Sequence, residues 1–190
     1  KHLNSVRELL VQKGVTIPLW HSSNSGAIVN YSDSHMDLVR AGIILYGMYD
    51  SFGAEADYKC VLSLKSVITQ IREIDENTPV SYGKTFVSDK KMRVATVSIG
   101  YADGYPRSMS NGGKMLVHGK FANIVGRVCM DQTIIDVTDI DCKVGDIVTV
   151  IGCEKDNCIT ATDIAVRDGT INYEIVCRLS PRIPRVYVRD

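Results

Sequence analysis

The sequence predicts a short α/β segment over residues 1–57 followed by an all-β domain over 58–190. Two observations carry this. The first part runs helix, strand, short helix, strand, the rhythm of a parallel α/β fold. From about residue 58 onward, short alternating or β-branched runs follow one another at regular spacing, punctuated by Gly, Pro, Asn and Asp. The polar stretch Asp50–Tyr58 marks the boundary.

Residues 2–13 read as an amphipathic helix, because Leu3, Val6, Leu9 and Leu10 recur at helical spacing and Gly14 stops it. Val15–Trp20 is a short apolar run and reads as a buried strand. Asn24–Val29 reads as one or two helical turns, and Asp37–Tyr46 as a second strand. Two strands cannot make a parallel sheet buried on both faces, so residue 1 is expected not to be the start of the protein. In the second part the predicted strands are Val61–Ile74, Val80–Phe86, Met92–Ile99, Lys114–Val117, Phe121–Val128, Gln132–Val137 and Ile147–Ile151. Their shortness points to an antiparallel sandwich or barrel. Thr160 or Thr162 caps a helix that runs to about Arg167 and stops at Gly169. The tail Arg182–Val188 reads as a last strand, confined to an edge by Pro184.

Composition narrows the function classes. Lys plus Arg and Asp plus Glu are 22 each, and no run of five like charges occurs, so nothing favours nucleic acid or an anionic membrane. The longest apolar stretch, Ala41–Tyr49, is too short to span a bilayer, and no segment reads as a signal peptide. The six cysteines, Cys60, Cys129, Cys142, Cys153, Cys158 and Cys177, show no C-x-x-C spacing, and no His pair completes a zinc pattern. They read as reduced cytosolic thiols, many of them in the core, with a Cys153–Cys158 disulfide as the alternative.

Five clusters carry chemistry. His21-Ser-Ser-Asn24-Ser25-Gly26 lies before a helical turn, where backbone N–H groups and a hydroxyl suit a phosphate; taken alone it reads first as an ordinary N-cap. Asp37-Leu-Val-Arg40-Ala-Gly42-Ile43 ends a strand, and its arginine faces either a ligand or a carboxylate partner. Val80-Ser-Tyr82-Gly83-Lys-Thr85, Ile99-Gly100-Tyr101-Ala102-Asp103-Gly104-Tyr105-Pro-Arg107 and Val125-Gly-Arg127-Val-Cys129-Met130-Asp131-Gln132 are singly unremarkable packing or turn sequences.

In this order, and followed by Thr170-Ile-Asn-Tyr173-Glu174 and Arg182-Ile-Pro184-Arg185, the clusters resemble the bacterial alanine racemases. The resemblance runs from about His21 to Val188, and Cys129-Met130-Asp131-Gln132 and Gly100-Tyr101-Ala102-Asp103-Gly104 are its most specific parts. It implies the last βα units of a (β/α)8 barrel over 1–57 and a C-terminal β-sandwich or barrel domain over 58–190. It also implies pyridoxal 5′-phosphate as cofactor and interconversion of L- and D-alanine by two-base α-proton transfer, supplying D-alanine for cell-wall peptidoglycan in the cytoplasm. Ser25, Gly42, Ile43 and Tyr173 resemble phosphate contacts, with Asn24 beside them, and Arg40 resembles the partner of the pyridine nitrogen. Tyr82 resembles the catalytic tyrosine, and the Met130 N–H the donor to the substrate carboxylate. Tyr101, Arg107 and Arg127 resemble residues lining the access channel.

The family's active unit is a homodimer in which Tyr82 and Met130 serve the partner's site. No lysine in residues 1–190 occupies the context of the family's cofactor-holding lysine, so the chain is expected to be a fragment or a cleaved form. Serine racemisation, as in membrane-fused racemases of glycopeptide resistance, competes within the family, since a hydroxyl is poorly rejected by size alone; Tyr173 resembles the alanine type. A dimerising β module that binds no ligand is the reading from a different class.

Overall fold

The computed structural model describes residues 2–48 and 58–188, so most of Asp50–Tyr58 lies outside the described residues. The chain forms two compact units, Lys1–Lys59 and Cys60–Asp190.

In the first unit, helix α1 (His2–Gln12) ends where Gly14 turns left-handed at φ 74°. Helix α2 (Ser25–Asn30) starts at Asn24, whose side chain accepts the Ala27 N–H and so satisfies one of the orphan donors of the first turn. The expected strands Val15–Trp20 and Asp37–Tyr46 are not formed. Trp20 and Asp37 lie side by side, with Asp37 N–H donating to the Trp20 carbonyl at 3.1 Å and Trp20 N–H to Asp37 Oδ2 at 2.9 Å. A buried parallel strand needs a ladder on both edges, and among the described residues these two segments pair only at isolated points. Val15, Ile17 and Leu19 are exposed accordingly. The second segment also breaks at Gly42 and continues as a 3₁₀ turn, Ile43–Tyr46, stopped by left-handed Gly47 at φ 69°.

In the second unit the strands are β1 (Leu64–Ile74), β2 (Pro79–Val80), β3 (Phe86–Val87), β4 (Met92–Val97), β5 (Lys114–Val117), β6 (Lys120–Asn123), β7 (Thr133–Asp136), β8 (Ile147–Glu154) and β9 (Asn157–Ile159). Seven form one antiparallel sheet in the order β6-β5-β8-β1-β4-β7, with β9 pairing to the far part of β8. A bridge between Ile124 and Ile135 ties the end of β6 to β7, so the two ends of this path meet. In β7 the side chains alternate strictly, with Thr133 and Ile135 buried and Ile134 and Asp136 half-exposed. That alternation is what one face packed on a core requires. Ile68, Val94, Val97, Met115, Leu116, Val117, Val148 and Ile135 form that core. Each fully buried aliphatic side chain contributes about 1.5–3 kcal/mol relative to exposure.

Three expected strands differ. Val80–Phe86 is instead the hairpin β2–β3, in register Pro79↔Val87 and Val80↔Phe86, because Ser81 at φ 64° and Gly83 at φ 72° throw the chain out of the extended region. Phe121–Val128 stops being a strand at Asn123, and at Gly126 (φ 80°) a Cβ would fall 2.7 Å from the Cβ of Ser81. Arg182–Val188 is not a strand; Arg185 folds its guanidinium back on the carbonyls of Leu179, Ser180 and Ile183. Strand β9 and helix α4 (Asn172–Arg178) were not expected from the pattern.

Helix α3 (Ala161–Asp168) begins at Thr160. Its Oγ1 accepts the Asp163 N–H while Asp163 Oδ2 accepts the Thr160 N–H, and the helix ends at left-handed Gly169. The cysteines also differ from a set of reduced core thiols. Cys153 and Cys158 are register partners across β8–β9 and form a disulfide. Of the free cysteines among the described residues, only Cys142 is buried, and burial pushes its thiol up.

Candidate functional site

In the first unit the predicted anion-binding residues come together. The N–H of Gly42 donates to Ser25 Oγ at 2.9 Å, so the first residue of α2 is joined to the start of the Ile43–Tyr46 turn. Ser25 and Ile43 are both buried. Because Ser25 Oγ accepts from Gly42, its own hydroxyl hydrogen remains to be donated. Asn24 is occupied as the cap of α2. A helix N-terminus, a hydroxyl donor and a glycine at a chain turn form a donor set that suits a phosphate. Arg40 donates from Nη1 to His21 Nδ1 at 2.8 Å, and its backbone N–H donates to the Ser23 carbonyl at 2.8 Å. Its partner here is thus an imidazole and not a carboxylate. Guanidinium only donates, so Nδ1 is the acceptor in this contact.

In the second unit, Tyr82 sits on the turn between β2 and β3 and is 75% exposed. Val80 and Phe86, on either side of that turn, pack with Ile74, Met92, Val94 and Val125 and fix its base. The hydroxyl of Ser81 donates to the Arg127 carbonyl at 2.8 Å. The Arg127 guanidinium lies over Gly83, where a Cβ would be 3.3 Å from Nε, and that Nε is buried without a partner among the described residues.

Met130 lies three residues beyond Arg127 and is 53% exposed. Its carbonyl accepts the Ala102 N–H at 2.9 Å, and the Cys129 carbonyl accepts the Tyr101 N–H at 3.0 Å. For the N–H of Met130 no acceptor is found among the described residues. The turn at Gly100 needs glycine for space: a Cβ there would stand 2.3 Å from the Cys129 carbonyl oxygen. Asp103 closes the turn by accepting the Gly100 N–H at 2.8 Å.

Tyr101 and Arg107 are exposed, whereas Tyr105 is buried and its phenol is pushed up by that burial. Tyr82, Tyr101, Arg127 and Met130 are therefore linked through one strap, Gly126–Met130. Tyr173, near the start of α4, belongs to the same unit and is exposed. The two groups of site residues, Asn24–Ile43 and Tyr82–Tyr173, fall in different units.

Sequence reasoning missed a network that locks this surface. Arg182 donates from Nε to Asp103 Oδ1 at 2.7 Å and from Nη2 to Asp131 Oδ1 at 2.5 Å. These carboxylates hold the guanidinium proton more firmly than usual. A signal was available, since all three residues stand inside the quoted motifs with complementary charge. Asn111, which bridges Thr85 and Gly126, gave no such signal.

Two family models match: the alanine racemase N-terminal domain over residues 1–50 and the alanine racemase C-terminal domain over 61–187. An alanine racemase of Clostridium perfringens is 46% identical over 99% of the chain, and one of Halothermothrix orenii is 50% identical over 91%. The chain spans about half the length of these relatives, 50% and 46% respectively.

Among solved structures, the alanine racemase of Bacillus anthracis with bound L-Ala-P matches with a TM-score of 0.91 at 35% identity, covering 99% of this chain and 49% of that one. The Bartonella henselae alanine racemase with covalently bound pyridoxal phosphate matches at 0.84 and 36% identity, covering 98% and 51%. With most of its length matched by the C-terminal domain model and the remainder by the N-terminal one, the chain belongs to the alanine racemase family.

Proposed function

We propose that the protein carrying this chain interconverts L- and D-alanine, using pyridoxal phosphate and two bases, one of which is Tyr82. The carrying observation is an exposed phenol at Tyr82, on a turn that Ser81 ties to the Arg127 carbonyl, together with the Met130 N–H three residues further along that strap, for which no acceptor is found among the described residues. The match to the N-terminal domain model supports reading the first unit as the end of a (β/α)8 barrel. The names of the relatives and the L-Ala-P bound to the Bacillus anthracis enzyme support alanine over serine.

The donor set of the first unit fits the cofactor's phosphate. Ser25 Oγ, the Ile43 N–H and the start of α2 would hold it, with Gly42 beside them orienting the Ser25 hydroxyl and Tyr173 as a further hydroxyl. Arg40, always protonated, can only donate, and toward a pyridine nitrogen it would leave that nitrogen unprotonated. When bound, pyridoxal phosphate supplies the electron sink for the α-carbanion. Met130 N–H would receive the substrate carboxylate and fix the α-carbon's position.

Tyr82 Oη would take or return the α-proton on one face, and a second base would serve the opposite face. Tyr101, Arg107 and Arg127 would line the way in. The unit of activity would be a homodimer in which Tyr82 and Met130 are presented to the partner's barrel. The experiment is to incubate the protein with L-alanine and pyridoxal phosphate and follow optical rotation. The reading requires decay to equal amounts of both enantiomers, with serine turned over more slowly. A constant rotation contradicts it.

A further inference from the structure

The turn that carries Tyr82 is held from outside. Ser81 at φ 64° and Lys84 at φ 49° occupy the left-handed region as non-glycine residues. Such positions persist only where surrounding contacts over-determine them. The packing of Val80 and Phe86 fixes the two ends of the turn but not its apex. The Arg127 guanidinium lies where a Cβ on Gly83 would stand 3.3 Å from Nε, and that Nε makes no hydrogen bond among the described residues.

The directed contacts converge on Asn111. Its Oδ1 accepts the Gly126 N–H at 2.7 Å, and its own N–H donates to the Gly126 carbonyl at 3.2 Å. Its Nδ2 donates to Thr85 Oγ1 at 3.1 Å and to the Thr85 carbonyl at 3.3 Å. Asn111 itself stands at φ 55°, a conformation that asparagine tolerates better than most residues. Gly126 leads into Arg127, whose carbonyl takes the Ser81 hydroxyl, and on to Met130. One side-chain amide therefore spans the C-terminal end of the Tyr82 turn and the strap that ends in the Met130 N–H.

We propose that Asn111 is a positioning residue for proton transfer at Tyr82, setting the distance between the phenol and the carboxylate-binding N–H. The inference rests on the racemase reading. The amide acts in two halves: the oxygen holds the strap and the nitrogen holds the turn. Asn111→Asp keeps the size and the acceptor toward Gly126 but cannot donate to Thr85. Thr85→Val removes the Oγ1 acceptor from the other side, leaves the longer bond to the Thr85 carbonyl, and serves, with a smaller expected effect in the same direction, if the Asp variant does not fold.

The test compares wild type, Asn111→Asp, Thr85→Val and Tyr82→Phe in the protein that carries this chain, with L- and D-alanine deuterated at the α-carbon. With the amide link cut, kcat falls about tenfold while KM stays within about twofold, because a displaced base loses orientation and not substrate affinity. The deuterium isotope effect rises for one enantiomer only, the one that Tyr82→Phe identifies. Backbone hydrogen exchange in the cofactor-free protein provides a readout apart from turnover: the amides of Tyr82–Thr85 exchange faster in both link variants, while those of Met115–Val117 do not change. An isotope effect that stays as in wild type, or rises equally for both enantiomers, overturns the positioning role. If Tyr82→Phe itself produces no asymmetry, the racemase reading falls, and the inference with it.

Discussion

The guanidinium of Arg182 donates to the carboxylate of Asp131 at 2.5 Å, joining residues 51 positions apart beside the Met130 N–H. With its second contact, to Asp103, Arg182 pins the segment Cys129–Asp131 against the Gly100–Tyr105 turn. Arg182 and Asp131 are exposed while the Asp103 carboxylate is largely covered, and an exposed pair adds little to stability. On the proposed reading their role is to fix the direction of the Met130 N–H. Arg182→Ala is therefore expected to raise KM for alanine severalfold with kcat largely kept, since carboxylate binding is shared by ground and transition states. Thermal unfolding should move little. An unchanged KM would show that the Met130 turn holds itself.

Gly100 tests the same surface sterically. Its backbone lies in the extended region, so the cost of a side chain there is contact alone. A Cβ would stand 2.3 Å from the Cys129 oxygen and 2.4 Å from the Met130 oxygen. Gly100→Ala should lower unfolding free energy by about 3 kcal/mol, read as a shift in the urea midpoint, because both contacts are backbone atoms that cannot swing aside. A wild-type midpoint would mean that the strap moves freely.

The Cys153–Cys158 bond closes a loop of sequence separation 5. Chain entropy assigns such a small loop about 2 kcal/mol. Reduction, or replacement of both cysteines by serine, should cost no more than that. Glu154 independently anchors the end of β8, accepting the Gly119 N–H of the β5–β6 turn at 2.7 Å and the Thr149 hydroxyl at 2.5 Å. Urea titrations with and without reductant measure the difference, and complete unfolding on reduction would contradict this estimate.

What the sequence discloses is what local chemistry encodes. Helix α3 was legible end to end, because Thr160, Asp163 and Gly169 are cap and stop residues whose side chains or backbone act within a turn. Strand β5 was legible because its continuous apolar run, Met115–Val117, is buried on both faces. The Tyr82 turn was not, since Ser81 and Lys84 take left-handed conformations that their residue types do not announce. Val15–Trp20 misled because an apolar run reads as a strand whether or not neighbouring strands pair with it. In the candidate site, the cap-and-glycine pattern drew attention to Asn24, Ser25 and Gly42, but only the resemblance, not the pattern, assigned them to a phosphate. The Asn111 bridge to Thr85 spans 26 positions and leaves no periodic trace.

On the proposed reading Tyr82 is one of two bases. The direct measurement is α-proton exchange with solvent deuterium from L- and D-alanine, made on Tyr82→Phe in the protein carrying this chain. Tyr82 is 75% exposed, so its replacement by Phe leaves the packing of Val80 and Phe86 in place and the fold is retained. General acid–base groups typically contribute 10²- to 10⁴-fold. Exchange from one enantiomer is expected to fall by about that factor while exchange from the other persists, with racemisation lost in both directions. Equal and small losses for the two enantiomers would make Tyr82 a surface residue and contradict the two-base assignment.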